Sequence, residues 1–184
     1  MSRRRRQTTP TLDRITTDER AQVFAEMLVA HPELVAEAER RALSRLAVAD
    51  ADEIAGSLAR ALREADVDQL AYRAGRVLGR GYVHESEAAY EILDELLQPD
   101  LDDLARRAAL GLQDAASQIG LGLLWGLANC RTAVVGGTVL AYAGPDVTDE
   151  LAWSVGAALA KVGVSLPEDA FDNLPTSWRR ALDH

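Results

Sequence analysis

The chain has 184 residues, 48% of them hydrophobic and 27% charged, with a formal net charge of −9. That is enough chain and enough apolar material for one domain with a real core. The acidic balance opposes nucleic acid and anionic membrane over most of the surface, and the single cysteine, Cys130, excludes an internal disulfide and a cysteine-built zinc site.

The charge is unevenly spread. Residues 1–14 carry Arg3, Arg4, Arg5, Arg6 and Arg14 against Asp13, a net +4, which leaves −13 for residues 15–184. Aromatics are only 5% of the chain. Alanine and leucine supply the apolar surface instead, which favours helices, and almost no stretch alternates in the manner of a strand. The expected class is all-α.

Residues 1–14 are polar, basic and proline-containing, and are expected to be a disordered arm. No apolar h-region follows its arginines, so a cytoplasmic protein is expected. Residues 15–184 are expected to form one all-helical domain. Thr16 to Glu19 has the capping-box pattern and opens a helix whose inner face is Ala21, Phe24, Met27 and Leu28. His31-Pro32 stops it. Val35, Ala38, Ala42, Leu43 and Leu46 stripe the next helix. Asp50 is placed to cap a third, with Ile54, Leu58, Ala61, Leu62 and Ala65 at helical spacing. Val67, Leu70, Ala71, Ala74, Val77 and Leu78 share one face of a further helix that Gly79-Arg80-Gly81 ends.

The segment from Tyr82 to Gln98 predicts a helix that Pro99 closes. Ala89, Ile92, Leu93, Leu96 and Leu97 face inward, and Glu87, Glu91, Asp94 and Glu95 face out. Asp100 then caps a helix striped by Leu101, Leu104, Ala105, Ala108 and Leu112, with Asp103 and Arg107 as an i,i+4 ion pair.

Ile119 to Ala143 is the most apolar stretch. A membrane span needs about 20 apolar residues without charge, and Asn129 and Arg131 interrupt this one. It reads instead as a helix buried by its own protein. Gly122 and Gly126 lie on one face, where another backbone approaches closely. Gly136-Gly137 breaks the stretch, and Arg131 needs an acidic partner or a route to solvent, or marks a helix end where a cation faces the negative end of the dipole. After Gly144-Pro145, Leu151, Ala152, Val155, Leu159 and Val162 make another helix, with Gly163 at its C′ position. Ser165 to Glu168 repeats the capping-box pattern, and Trp178 anchors a last short helix.

Breaks recur about every 16 to 18 residues up to Pro99, without a self-similar motif. The expected fold is therefore a single-domain antiparallel helical bundle, or a short HEAT-like array, around a buried apolar helix.

Little points to catalysis. His31, His84 and His184 are scattered, and no HExxH, phosphate loop or GxSxG elbow occurs. Neither a metal nor a cofactor is expected. His84-Glu85-Ser86-Glu87 fits a helix start. The leading expectation is a non-enzymatic protein–protein interaction or adaptor module, self-association included. Its candidate partner-binding residues are the arm Arg3, Arg4, Arg5 and Arg6 and the acidic strip Glu87, Glu91, Asp94 and Glu95. One alternative is a regulator whose arginine arm touches nucleic acid. Another is a small-molecule-binding or enzymatic helical protein with a pocket near Trp125 and Tyr142.

Overall fold

A computed structural model describes residues 11–79, 81–131 and 136–182. The chain divides into two compact units, residues 1–45 and 46–184.

The first unit holds helix α1 (Thr17–Ala30), a 3-10 helix (Pro32–Leu34) and most of α2 (Val35–Leu46). Thr16 and Glu19 close the capping box: the Thr16 N–H donates to Glu19 Oε2 at 2.7 Å, and the Glu19 N–H to Thr16 Oγ1 at 3.2 Å. His31 ends α1, and Pro32 takes the first position of the 3-10 helix. The helical periods are as expected, but the buried faces are not. No residue of α1, the 3-10 helix or α2 is buried. Within this unit α1 packs on the 3-10 helix and not extensively on α2. Spacing sets which side chains share a face; it supplies no surface to cover them.

The second unit contains α3 (Ala51–Arg63), α4 (Asp68–Arg73), β1 (Gly75–Val77), β2 (Gly81–Val83), α5 (Glu85–Ala109) and α6 (Gln113–Cys130). It continues through α7 (Val139–Ala143), α8 (Val147–Val162), a 3-10 helix (Glu168–Asn173) and α9 (Thr176–Leu182). Helix α6 is its centre, packing against α3, α5 and α8. Leu123, Leu124, Leu127 and Cys130 are fully buried. The glycine face of α6 meets α3. A Cβ on Gly122 would lie 2.7 Å from the Ala51 carbonyl oxygen, and one on Gly126 would lie 3.0 Å from that of Ala55. The spacing thus allows two helix backbones to approach closely.

Three junctions differ from the sequence expectation. The helix projected from Val67 to Leu78 is only α4, followed by an antiparallel hairpin pairing Arg76 with Tyr82. Gly75, Gly79 and Gly81 all have positive φ, between 83° and 89°. That local geometry turns the chain out of the helix, and the apolar residues beyond Arg73 had only imitated its period.

Pro99, expected as a terminator, lies inside α5, and Asp100 caps nothing. An interior proline costs about 3 kcal/mol. Leu93, Leu97 and Leu104, all fully buried on both sides of it, outweigh that cost. The real break comes at Gly111, with φ +77°.

The second capping box does not form. The residue at the start of the late 3-10 helix is Pro167, without a side-chain cap, and Ser165 instead accepts a bond from Ser117 Oγ through its carbonyl at 3.1 Å.

Other signals act as their chemistry requires. Asp50 accepts the Asp52 and Glu53 N–H groups at 3.0 and 3.2 Å. Gly163 ends α8 in the left-handed region at φ 67°. Arg107 pairs with Asp103 at 2.9 Å and donates to the Leu46 and Val48 carbonyls, tying the chain before α3 to the end of α5.

Arg131 finds its acidic partner on α8: its Nε lies 3.0 Å from Asp149 Oδ1. The fully buried Trp178 of α9 donates its indole N–H to the same oxygen at 2.7 Å. Among the described residues no helix is long and apolar enough to cross a membrane.

Candidate functional site

Helix α5 places Glu87, Glu91, Asp94 and Glu95 at i,i+3 and i,i+4 spacing, so one face gathers them. They are not a spare acidic surface. Glu95 is held in a bidentate pair by Arg73 of α4, at 2.7 and 2.8 Å. Hydrogen bonding to that guanidinium lowers the Glu95 carboxyl below its ordinary range and raises Arg73. Asp94 accepts from Gln98 at 3.2 Å, and Glu87 and Glu91 are engaged as well. The strip is partly a brace between α4 and α5. Arg3, Arg4, Arg5 and Arg6 lie outside the described residues.

Among the described residues, Trp125 and Tyr142 line separate grooves. Trp125 of α6 lines a groove of about 370 Å³ with Asp52, Gly56, Asn129 and Asn173. Its indole Nε1 is buried and has no hydrogen-bond partner among the described residues. Tyr142 of α7 lines a separate groove of about 410 Å³ with Asp68, Gly75, Tyr82 and Glu85. The hairpin that sequence periodicity concealed brings Tyr82 and Glu85 there. The signal that exposes it is the glycine spacing at 75, 79 and 81.

Cys130 is fully buried, and its thiol donates to the Ala59 carbonyl at 3.7 Å. Burial pushes its pKa up, with Arg63 opposing, so it is held as an unreactive thiol. His31 is exposed and pairs with Glu33 at 3.1 Å. His84 stands at the start of α5 without a side-chain cap bond, its ring edge-on to Tyr82 at 5.2 Å. His184 lies outside the described residues. Among the described residues no group of three or more His, Cys, Asp or Glu side chains is placed to hold a metal ion.

The largest departure from expectation is on α1 and α2. Phe24 is 54% exposed, Met27 49% and Val29 82%, with Val23, Leu34, Val35 and Leu43 also exposed. Val23, Phe24 and Met27 fall on one side of α1 together with Arg20, while Asp18, Gln22, Glu26 and Val29 fall on the other. Of the exposed side chains, Phe24, Met27, Val35 and Leu43 lie on the faces expected to turn inward, because an amphipathic period looks the same whether the covering surface belongs to the same chain or to another.

Comparison with protein families, with curated proteins and with solved structures finds no match to this chain.

Proposed function

We propose that the protein is a non-enzymatic cytoplasmic interaction module that self-associates through α1 and α2. The observation that carries this reading is the apolar face of two successive helices, neither of which buries a residue. Exposed apolar surface gathered on one face marks an association site, whereas scattered apolar residues do not.

Charge supports a second copy as the occupant. Helix α1 carries Asp18, Glu19, Arg20 and Glu26, a net −2, and α2 carries Glu37, Glu39, Arg40, Arg41 and Arg45, a net +1. In a two-fold pair, α1 of each copy meets α2 of the other, so acidic and basic flanks oppose each other twice. Residues 46–184 then act as a preformed body. A bundle around α6 describes that body better than a HEAT-like stack, because α6 packs against α3, α5 and α8, whereas a repeat touches only its neighbours. The nucleic-acid alternative rests on Arg3 to Arg6 alone. The pocket alternative has less to support it, since Trp125 and Tyr142 line different grooves.

Sedimentation equilibrium tests the reading. The wild-type chain is expected to be a dimer at micromolar concentration, and the Phe24→Asp/Met27→Asp variant a monomer with unchanged helical content. A wild-type monomer at every concentration, or a dimer that survives both substitutions, refutes it.

A further inference from the structure

The groove beside Tyr142 has a chemistry that the self-association of α1 and α2 does not use. Its walls are α4, the hairpin, the first turn of α5 and α7. Two of the chain's four tyrosines line it, Tyr82 at 68% exposure and Tyr142 at 41%. The edge-on contact with His84 orients the Tyr82 ring. Two carboxylates, Asp68 and Glu85, line the same groove. Unlike Glu95, neither has a hydrogen-bond or ion-pair partner among the described residues.

We infer that this groove receives an arginine side chain from a peptide segment. Aromatic rings and unpaired carboxylates together select a cation, since ring faces attract positive charge and the carboxylates repel anions. Guanidinium suits the set better than ammonium. It is planar and weakly hydrated, stacks on an aromatic face, and directs its N–H donors in a fork at carboxylate oxygens.

The hairpin favours a peptide over a free small cation. Among the described residues β1 and β2 form a two-stranded sheet, so each strand has an outer edge that no third strand pairs. Gly75 of β1 and Tyr82 of β2 both border the groove. A segment lying along such an edge gains backbone hydrogen bonds while its side chain enters the groove.

Fluorescence anisotropy tests this with a short labelled glycine-serine peptide carrying two arginines, and the same peptide with citrulline in their place. The protein is the full chain, wild type and with Arg3, Arg4, Arg5 and Arg6 all changed to glutamine, so that the chain's own arginines do not compete. The arginine peptide is expected to bind and the citrulline peptide not. Tyr82→Ala, Tyr142→Ala and Glu85→Gln should each weaken binding about two- to fivefold, the span of an exposed cation–π or ion-pair contact. The Tyr82→Ala/Glu85→Gln pair should weaken it about tenfold if the two contacts add. Glu168→Gln removes the same charge elsewhere and should leave binding unchanged. Equal binding of the two peptides, equal loss with Glu168→Gln, or no binding to either protein overturns the inference. The Phe24→Asp/Met27→Asp variant should bind the peptide normally, which separates this result from the fate of the self-association reading.

Discussion

Gly122 shows how one missing methyl sets a helix spacing. An added Cβ would meet the Ala51 carbonyl oxygen at 2.7 Å and Ile54 Cβ at 2.8 Å, and the first of these is backbone that cannot rotate away. Gly122→Ala gains about 1 kcal/mol of helix propensity but forces α3 off α6, which costs about 1–3 kcal/mol. Urea denaturation should therefore show net destabilisation. Gly56, on the exposed side of α3, has nothing within 4 Å of an added Cβ, so Gly56→Ala should stabilise by about 0.5–1 kcal/mol.

Asp149 serves two donors, Arg131 and the buried Trp178 indole. Asp149→Ala leaves that indole N–H without a partner, and a loss of about 1–3 kcal/mol is expected in the same measurement. At Asp100, burial first and the nearby Asp103 second raise the carboxyl pKa. The folded state therefore favours the protonated acid. The stability this contributes is fully present below the unfolded pKa and is lost as pH rises through the higher folded one. Asp100→Asn should melt above wild type at neutral pH, and the gap should narrow as pH falls through the carboxylate range.

At the scale of elements, α5 is the instructive case. Pro99 is a sound helix terminator by local rules, and the helix runs through it because fully buried leucines lie on both sides. Local preference of about 3 kcal/mol is outvoted by tertiary burial. Pro99→Ala, at an exposed position, restores the N–H that proline lacks and should raise stability by about 1–3 kcal/mol, read as an increase in melting temperature. The segment after α4 runs the other way. There three positive-φ glycines override an apolar period and make a hairpin. Thr16, Asp50 and Gly163 cap at the positions their local chemistry suggests, whereas Ser165 does not.

At the scale of the whole molecule, the two units differ in what holds them. Buried leucine, valine and tryptophan fill residues 46–184, while residues 11–45 contain no buried side chain. Backbone that buries nothing opens cheaply to proteases. Limited proteolysis of the monomeric Phe24→Asp/Met27→Asp variant should cut within residues 11–45 first, leaving a resistant fragment that begins near Leu46. Wild-type protein at associating concentration should lose that segment more slowly, because pairing removes the open state.

Read alone, the amino-acid order was sufficient for the helical class, the caps at Thr16, Asp50 and Gly163, the close approach at Gly122 and Gly126, and Trp178 as an anchor. These depend on neighbours within a few residues, or on a face that one side-chain period defines. Tertiary structure decided which faces are covered, whether Pro99 ends a helix, which donors Asp149 serves, and that Tyr82 and Glu85 join Tyr142 while Trp125 lies elsewhere. Those outcomes depend on contacts between residues far apart in the chain, and a local pattern carries no information about which distant surface arrives to meet it.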